Sequence, residues 1–130
     1  MNLRPATPGD RAALIAMFER CSKDTRYRRF HGFLRAFPER YLADALSGRP
    51  GHIALVAEVA GRIVALGSCA DDEIGILVED EFQRQGIGTR MLTALTQLSG
   101  PGMLLATIQS DQAWILSLLR HFGNIKIDWA

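Results

Sequence analysis

Seven consecutive residues near the middle of the chain have the types and spacing that bind an anion: Gln83, Arg84, Gln85, Gly86, Ile87, Gly88 and Thr89. A polar stretch, Glu79-Asp80-Glu81-Phe82, leads into them, and an apolar pattern of helical period follows. Two glycines two positions apart let a backbone approach a ligand with no Cβ in the way. At a helix start the first N–H groups lack partners and lie at the positive end of the dipole. Arg84 adds a cation. Together these features form a cradle suited to a phosphate or pyrophosphate. A Walker loop requires Gly-Lys-Ser/Thr, whereas Gly88 is followed by Thr89-Arg90. A Rossmann fingerprint requires a third glycine, and Met91 occupies that place. The pattern that fits is Gln/Arg-x-x-Gly-x-Gly/Ala, met by Gln83, Gly86 and Gly88.

A chain of 130 residues, 48% of them hydrophobic, has the size and composition of one globular domain, and we expect residues 1–130 to form one. No apolar run approaches the roughly 18–20 residues that cross a bilayer, and the N-terminus has no apolar signal region. We therefore expect a cytoplasmic protein with no membrane partner. Cys21 and Cys69 have no metal-ligand or redox spacing and read as small buried thiols. The net charge of +1 conceals an asymmetry. Residues 1–49 hold ten Lys/Arg against five Asp/Glu, residues 50–81 one against seven, and the remainder four against two. A nucleic-acid binder would carry a much larger basic excess, so no nucleic-acid partner is expected.

The elements that must position the cradle follow from periodicity. Leu3 to Thr7 is a short strand, and Pro8 and Asp10 open a helix with Leu14, Ile15, Met17, Phe18 and Cys21 on its apolar face. From Ser22 to Arg29 the pattern breaks into polar and basic residues. A second helix starts at Pro38 and stops at Gly48. Ile53–Val59 and Arg62–Ser68 are strands joined at Ala60-Gly61, a hairpin signal, and Asp71-Asp72 turns the chain into a strand at Glu73–Val78. A helix from Gly86 to Leu98 presents Ile87, Met91, Leu92 and Leu95. Met103–Ile108 is a buried-type strand, Ala113–Phe122 a helix, and Ile125–Trp129 a last strand. The order is β-α-α-β-β-β-α-β-α-β, a mixed α/β (α+β) fold with antiparallel strands early and strand–helix alternation late.

The Gly motif in this setting resembles that of the GNAT superfamily of acyl-CoA-dependent N-acetyltransferases, and the element order is similar to the family's over nearly the whole chain. Leu3 to Asp10 resembles the family's first strand and turn, and Glu73 to Asp80 its fourth strand. The segment Thr25-Arg26-Tyr27-Arg28-Arg29-Phe30-His31-Gly32 is similar to one in bacterial protein-lysine acetyltransferases. The resemblance implies acetyl-CoA as co-substrate, with no metal, lying in a splay between the fourth and fifth strands. Backbone groups of Ile76 and Val78 would hold the pantetheine arm. Main-chain N–H groups of Arg84, Gln85, Gly86, Ile87, Gly88 and Thr89 would hold the pyrophosphate.

The implied reaction moves an acetyl group to an amine, a small molecule or a protein lysine, by direct transfer in a ternary complex. Glu73 matches the glutamate base of similar enzymes and would take the ammonium proton. Acidic neighbours and partial burial would raise its pKa. Glu79 and Asp80 are weaker candidates because they stand where the family turns into its phosphate loop. The thioester carbonyl would be polarised by the N–H of Ile76 or Leu77. The arginines Arg26, Arg28, Arg29 and Arg35, interleaved with Tyr27, Phe30, His31 and Phe33, fall in the region that lines the family's acceptor site.

Three departures accompany the resemblance. The tyrosine that many relatives carry on the penultimate helix is missing: the two tyrosines are Tyr27 and Tyr41, and His121, at the end of that helix, reads as a dipole partner, which leaves the general acid unassigned. Where relatives carry an asparagine after the fifth strand, Gln112 is the nearest match. The sequence ends after a sixth strand rather than a seventh, leaving an edge through which a homodimer could form. These departures motivate an alternative of another class, a non-catalytic acyl-CoA-binding or partner-binding module on the same scaffold.

Overall fold

The computed structural model describes residues 1–32, 34–100, 102–108 and 125–129. Among the described residues six strands form one sheet in the order β1-β2-β3-β4-β5-β6: Asn2–Pro5, His52–Val59, Arg62–Ala70, Glu73–Val78, Leu104–Ile108 and Ile125–Trp129. The pairs from β1 to β4 are antiparallel, whereas β4–β5 and β5–β6 are parallel. Both early connections are two-residue turns with left-handed backbone at each position, Ala60-Gly61 (φ 52° and 78°) and Asp71-Asp72 (φ 49° and 65°). Such turns match the twist of antiparallel strands, which is why these short polar or small pairs set the hairpin registers. At the far edge β6 pairs with β5 and with no other strand among the described residues.

Before β2 lie α1 (Arg11–Arg20), α2 (Lys23–Phe30) and α3 (Glu39–Ala45); α4 (Ile87–Ser99) lies between β4 and β5. The mixed α/β architecture follows the expected order, with one addition. The stretch expected to be irregular after Ser22 is the helix α2. It has no apolar stripe, and its ends hold it instead. Ser22 Oγ accepts the Thr25 N–H at 3.1 Å, Asp24 lies in the first turn, and Arg28 and Arg29 lie in the last, complementing the dipole. His31 closes it in a left-handed conformation. The expected helix Ala113–Phe122, with Gln112, Trp114 and His121, lies outside the described residues.

The sheet separates two cores. On one face Ile87, Met91, Leu92 and Leu95 of α4 pack on Leu55, Ala65, Ile74, Leu104 and Ala106. On the other face Leu14, Met17 and Phe18 of α1, Phe37 and Leu42 pack on Val56, Ile63, Leu66 and Leu77. Strand alternation divides β4 between them: Ile74, Ile76 and Val78 face α4, while Gly75 and Leu77 face α1–α3. Both cysteines are buried thiols, and burial pushes Cys21 up to about 12. No helix among the described residues is long and apolar enough to cross a membrane.

Candidate functional site

The centre of the site is a gap. Among the described residues β4 and β5 pair only at Glu73↔Leu105 and Ile74↔Ala106, and from Gly75 onward β4 has no ladder with them on its β5 side. Hydrogen bonds at either end of β4 fix which groups point into that gap. Leu105 N–H donates to Asp72 O at 2.8 Å on the β5 side, and Glu79 N–H donates to Val64 O at 2.9 Å on the β3 side. Alternation between these anchors turns the N–H and C=O groups of Ile76 and Val78 into the gap and those of Leu77 toward β3. Gln83 Nε2 donates to the Val78 carbonyl at 2.9 Å, so the open donors and acceptor are the Ile76 pair and the Val78 N–H.

Beyond β4 the chain turns through residues 79–86 into α4. Gly86 is the N-cap, left-handed at φ 85°, and no side chain caps the helix. The first α4 bond runs from Arg90 N–H to Gly86 O at 3.1 Å, so the N–H groups ahead of it have no carbonyl one turn earlier. A Cβ placed on Gly86 or Gly88 would meet no protein atom within 4 Å. At Gly86 the left-handed backbone explains the glycine; at Gly88 what glycine leaves is space in front of the open N–H groups. This is a cradle that a side chain would fill, and it fits a pyrophosphate. Ile87 turns its side chain into the core and Thr89 is exposed, so both would contribute main-chain groups. Arg84, also left-handed at φ 61°, and Gln85, whose Nε2 donates to Glu81 O at 3.0 Å, complete the loop.

The turn before the cradle is fastened by residues whose types the sequence motif does not explain. Glu79 is 2% exposed and takes both Arg20, at 2.7 Å, and Arg62. Asp80 accepts the Ser22 N–H at 2.8 Å and the Thr25 hydroxyl at 3.1 Å. Desolvation pushes its pKa up, and the hydrogen bonds from Ser22 and Thr25 outweigh that push and hold it below the usual value. Gln83 Nε2 also donates to Thr25 Oγ1 at 3.0 Å. The motif's glutamine is thus a staple joining the end of β4 to α2. Sequence reasoning missed this network; its signal was Ser22 and Thr25 at capping distance within a polar stretch.

Glu73 opens β4, exposed rather than partly buried, and its carboxylate makes no hydrogen bond or ion pair among the described residues. It shares the α1–α3 face with Gly75 and Leu77. Of the basic segment, Arg26 is structural: it donates to the carbonyls of Phe18, Glu19 and Leu34 at 3.0–3.3 Å. Arg29 lies against Gly75, where any Cβ would overlap its guanidinium. Tyr41 hydrogen-bonds Ser68 at 2.5 Å and stacks in an aromatic cluster with Phe30 and Phe37. Gln112 lies outside the described residues. Among the described residues no three His, Cys, Asp or Glu side chains converge as metal ligands would.

Among curated proteins none matches this sequence. Solved structures show the fold. The GNAT domain of S. lividans PAT superposes with a TM-score of 0.77 at 18% identity, over 93% of this chain and 79% of that one. A putative acetyltransferase from Salmonella typhimurium, solved with its cofactor acetyl-CoA, gives 0.74 at 22% identity over 95% and 78%. The ribosomal-protein-alanine N-acetyltransferase of Brucella melitensis gives 0.72 at 23% identity over 95% and 83%. The model of the acetyltransferase (GNAT) family matches residues 12–121, most of the chain and all of the site just described, and the protein belongs to that family.

Proposed function

We propose that the protein transfers an acetyl group from acetyl-CoA to an amine, a small molecule or a protein lysine, by direct attack within a ternary complex. The observation that carries this reading is the gap between β4 and β5, followed along the chain by the start of α4, where no side chain caps the helix and two glycines leave open space. Acetyl-CoA supplies a thioester, activated toward an amine. The Ile76 and Val78 main chain holds the pantetheine amides, and the N–H groups from Arg84 to Thr89 hold the pyrophosphate. Because Leu77 is turned toward β3, the Ile76 N–H is the donor available to the thioester carbonyl. Glu73 takes the ammonium proton, directly or through water, before nitrogen attacks carbon and the C–S bond breaks. A second copy of the chain would add to the open β6 edge, which light scattering across a concentration series would detect.

The test is calorimetric titration with acetyl-CoA, followed by CoA release with a panel of amines. Saturable binding with turnover of at least one amine supports the reading. Binding with no turnover of any amine selects the non-catalytic module, and absent binding in folded protein overturns both.

A further inference from the structure

Among the described residues Arg29 is a cation without a counter-charge, and it lies over β4 at Gly75. Its guanidinium carbon lies 4.6 Å from the Phe30 ring centre and 4.7 Å from that of Tyr41, and its plane rests on Gly75. Its Nε is buried with no hydrogen-bond partner, and it forms no ion pair among the described residues. Arginines elsewhere around β4 and α2 are satisfied: Arg20 and Arg62 by Glu79, Arg26 by three carbonyls. Burying that Nε–H without a partner is unfavourable, and two aromatic faces offset only part of the cost. A fold needing only to fill this space would do so at lower cost with an apolar side chain.

Its place gives the unpaired charge a meaning. Gly75 is the first residue of β4 beyond the last β5 pair, next to the Ile76 N–H that faces the gap. Glu73 lies two residues back on the same face, about 7 Å along the strand, and the two opposite charges do not pair. One strand face thus carries an anion able to draw an ammonium and a cation able to draw a carboxylate. We propose that Arg29 is a specificity-determining residue that binds the carboxylate of the acceptor, so that the preferred acceptors are amines bearing a carboxylate a few bonds from the nitrogen. The glycine at 75 lets the guanidinium reach the strand. This inference rests on the acetyl-transfer reading above.

The test uses the full chain, acetyl-CoA and acceptor pairs of similar basicity: 4-aminobutyrate against butylamine, and 6-aminohexanoate against hexylamine. The expected kcat/KM favours the carboxylate-bearing member by about tenfold or more, the worth of a charge-assisted hydrogen bond. Arg29→Gln brings the ratio near one through KM, and Arg29→Lys restores part of it. Gly75→Ala keeps the charge, displaces the guanidinium and lowers the ratio in the same way. Arg29→Gln does not lower Tm, since it removes an uncompensated charge. A wild-type ratio near one, or a ratio unchanged in both Arg29→Gln and Gly75→Ala, overturns the proposal. So does a preference that appears only when succinyl-CoA replaces acetyl-CoA, which would move the carboxylate to the acyl donor. Should no amine be turned over, calorimetry of 4-aminobutyrate against butylamine on CoA-saturated protein decides: selective binding lost in Arg29→Gln supports the subsite, and equal or absent binding overturns it. Failure of acetyl-CoA to bind would end the transfer reading alone, because the same titration on ligand-free protein still reports on Arg29.

Discussion

The two ends of β4 use charge in opposite ways. At its C-terminal end Glu79 is enclosed by Arg20 and Arg62, Asp80 caps α2 through Ser22, and Gln83 ties Val78 to Thr25. At its N-terminal end Glu73 stands exposed and Arg29 lies half-buried, and neither side chain has a hydrogen-bond or ion-pair partner among the described residues. Polar groups removed from water must be paired or they destabilise, so the first set builds the scaffold. On the function proposed above, a ligand would complete the second set. Within six residues one strand would then pass from a surface that meets a substrate to a junction arranged for rigidity.

The largest effect that would test this contrast lies in the cradle. Gly86→Glu places a carboxylate and a strained left-handed backbone where an anion would bind, and acetyl-CoA affinity should fall by about 100-fold or more. Gly88→Ala is sharper because the protein has room for the methyl group. Helix propensity predicts a Tm equal to or above the wild type, with acetyl-CoA binding weakened by about tenfold. Weakened binding in a stable protein would show that Gly88 is there for the ligand. Unchanged binding would return it to the role of an ordinary helix residue.

Next comes a matched pair of glutamates. Glu79→Ala leaves two arginines, each partly exposed, around an emptied buried site, and should lower stability by about 2–3 kcal/mol in urea or thermal unfolding. Glu73→Gln changes an exposed side chain and should move stability by less than about 0.5 kcal/mol. It should keep acetyl-CoA binding yet reduce turnover strongly, less so at high pH where more of the amine is already deprotonated. If turnover is unchanged, Glu73 has no part in proton removal. If Glu79→Ala is as stable as the wild type, the contrast between the two ends of the strand fails.

What the sequence disclosed follows the range of the interactions involved. The hairpins were legible because Ala60-Gly61 and Asp71-Asp72 act locally, and α4 because Met91, Leu92 and Leu95 repeat at helical spacing. The glycine pair stood out because Gly86 answers a left-handed backbone that few residues adopt, while Gly88 leaves open space at the helix start. Helix α2 was not, since caps and tertiary contacts to Asp80 and Gln83 hold it, and those partners are more than fifty positions away. For the same reason the basic segment read as one patch. Only the fold separates Arg26, bonded to carbonyls, from Arg29, left over Gly75.

The smallest effect concerns acid stability, and it separates the scaffold from the site by pH. Asp10 takes two hydrogen bonds from Arg4, at 2.8 and 2.9 Å, and a third from the Thr7 N–H at 2.7 Å. Arg4 is the main cause that lowers its pKa to about 2, against the opposing push of burial. In the unfolded chain an aspartate titrates near about 3.9, so between these values the unfolded state binds more protons than the folded one. The contribution of Asp10 is therefore complete above about pH 4 and is lost as pH falls toward 2. Arg4 is partly exposed, so solvent screening limits the effect to about 1–2 kcal/mol. Unfolding curves for the wild type and Asp10→Asn should differ by that amount at pH 6 and converge near pH 2. Glu73→Gln should track the wild type throughout. A Glu73 variant that converged with the wild type only in acid would show that the open end of β4 also holds the fold together.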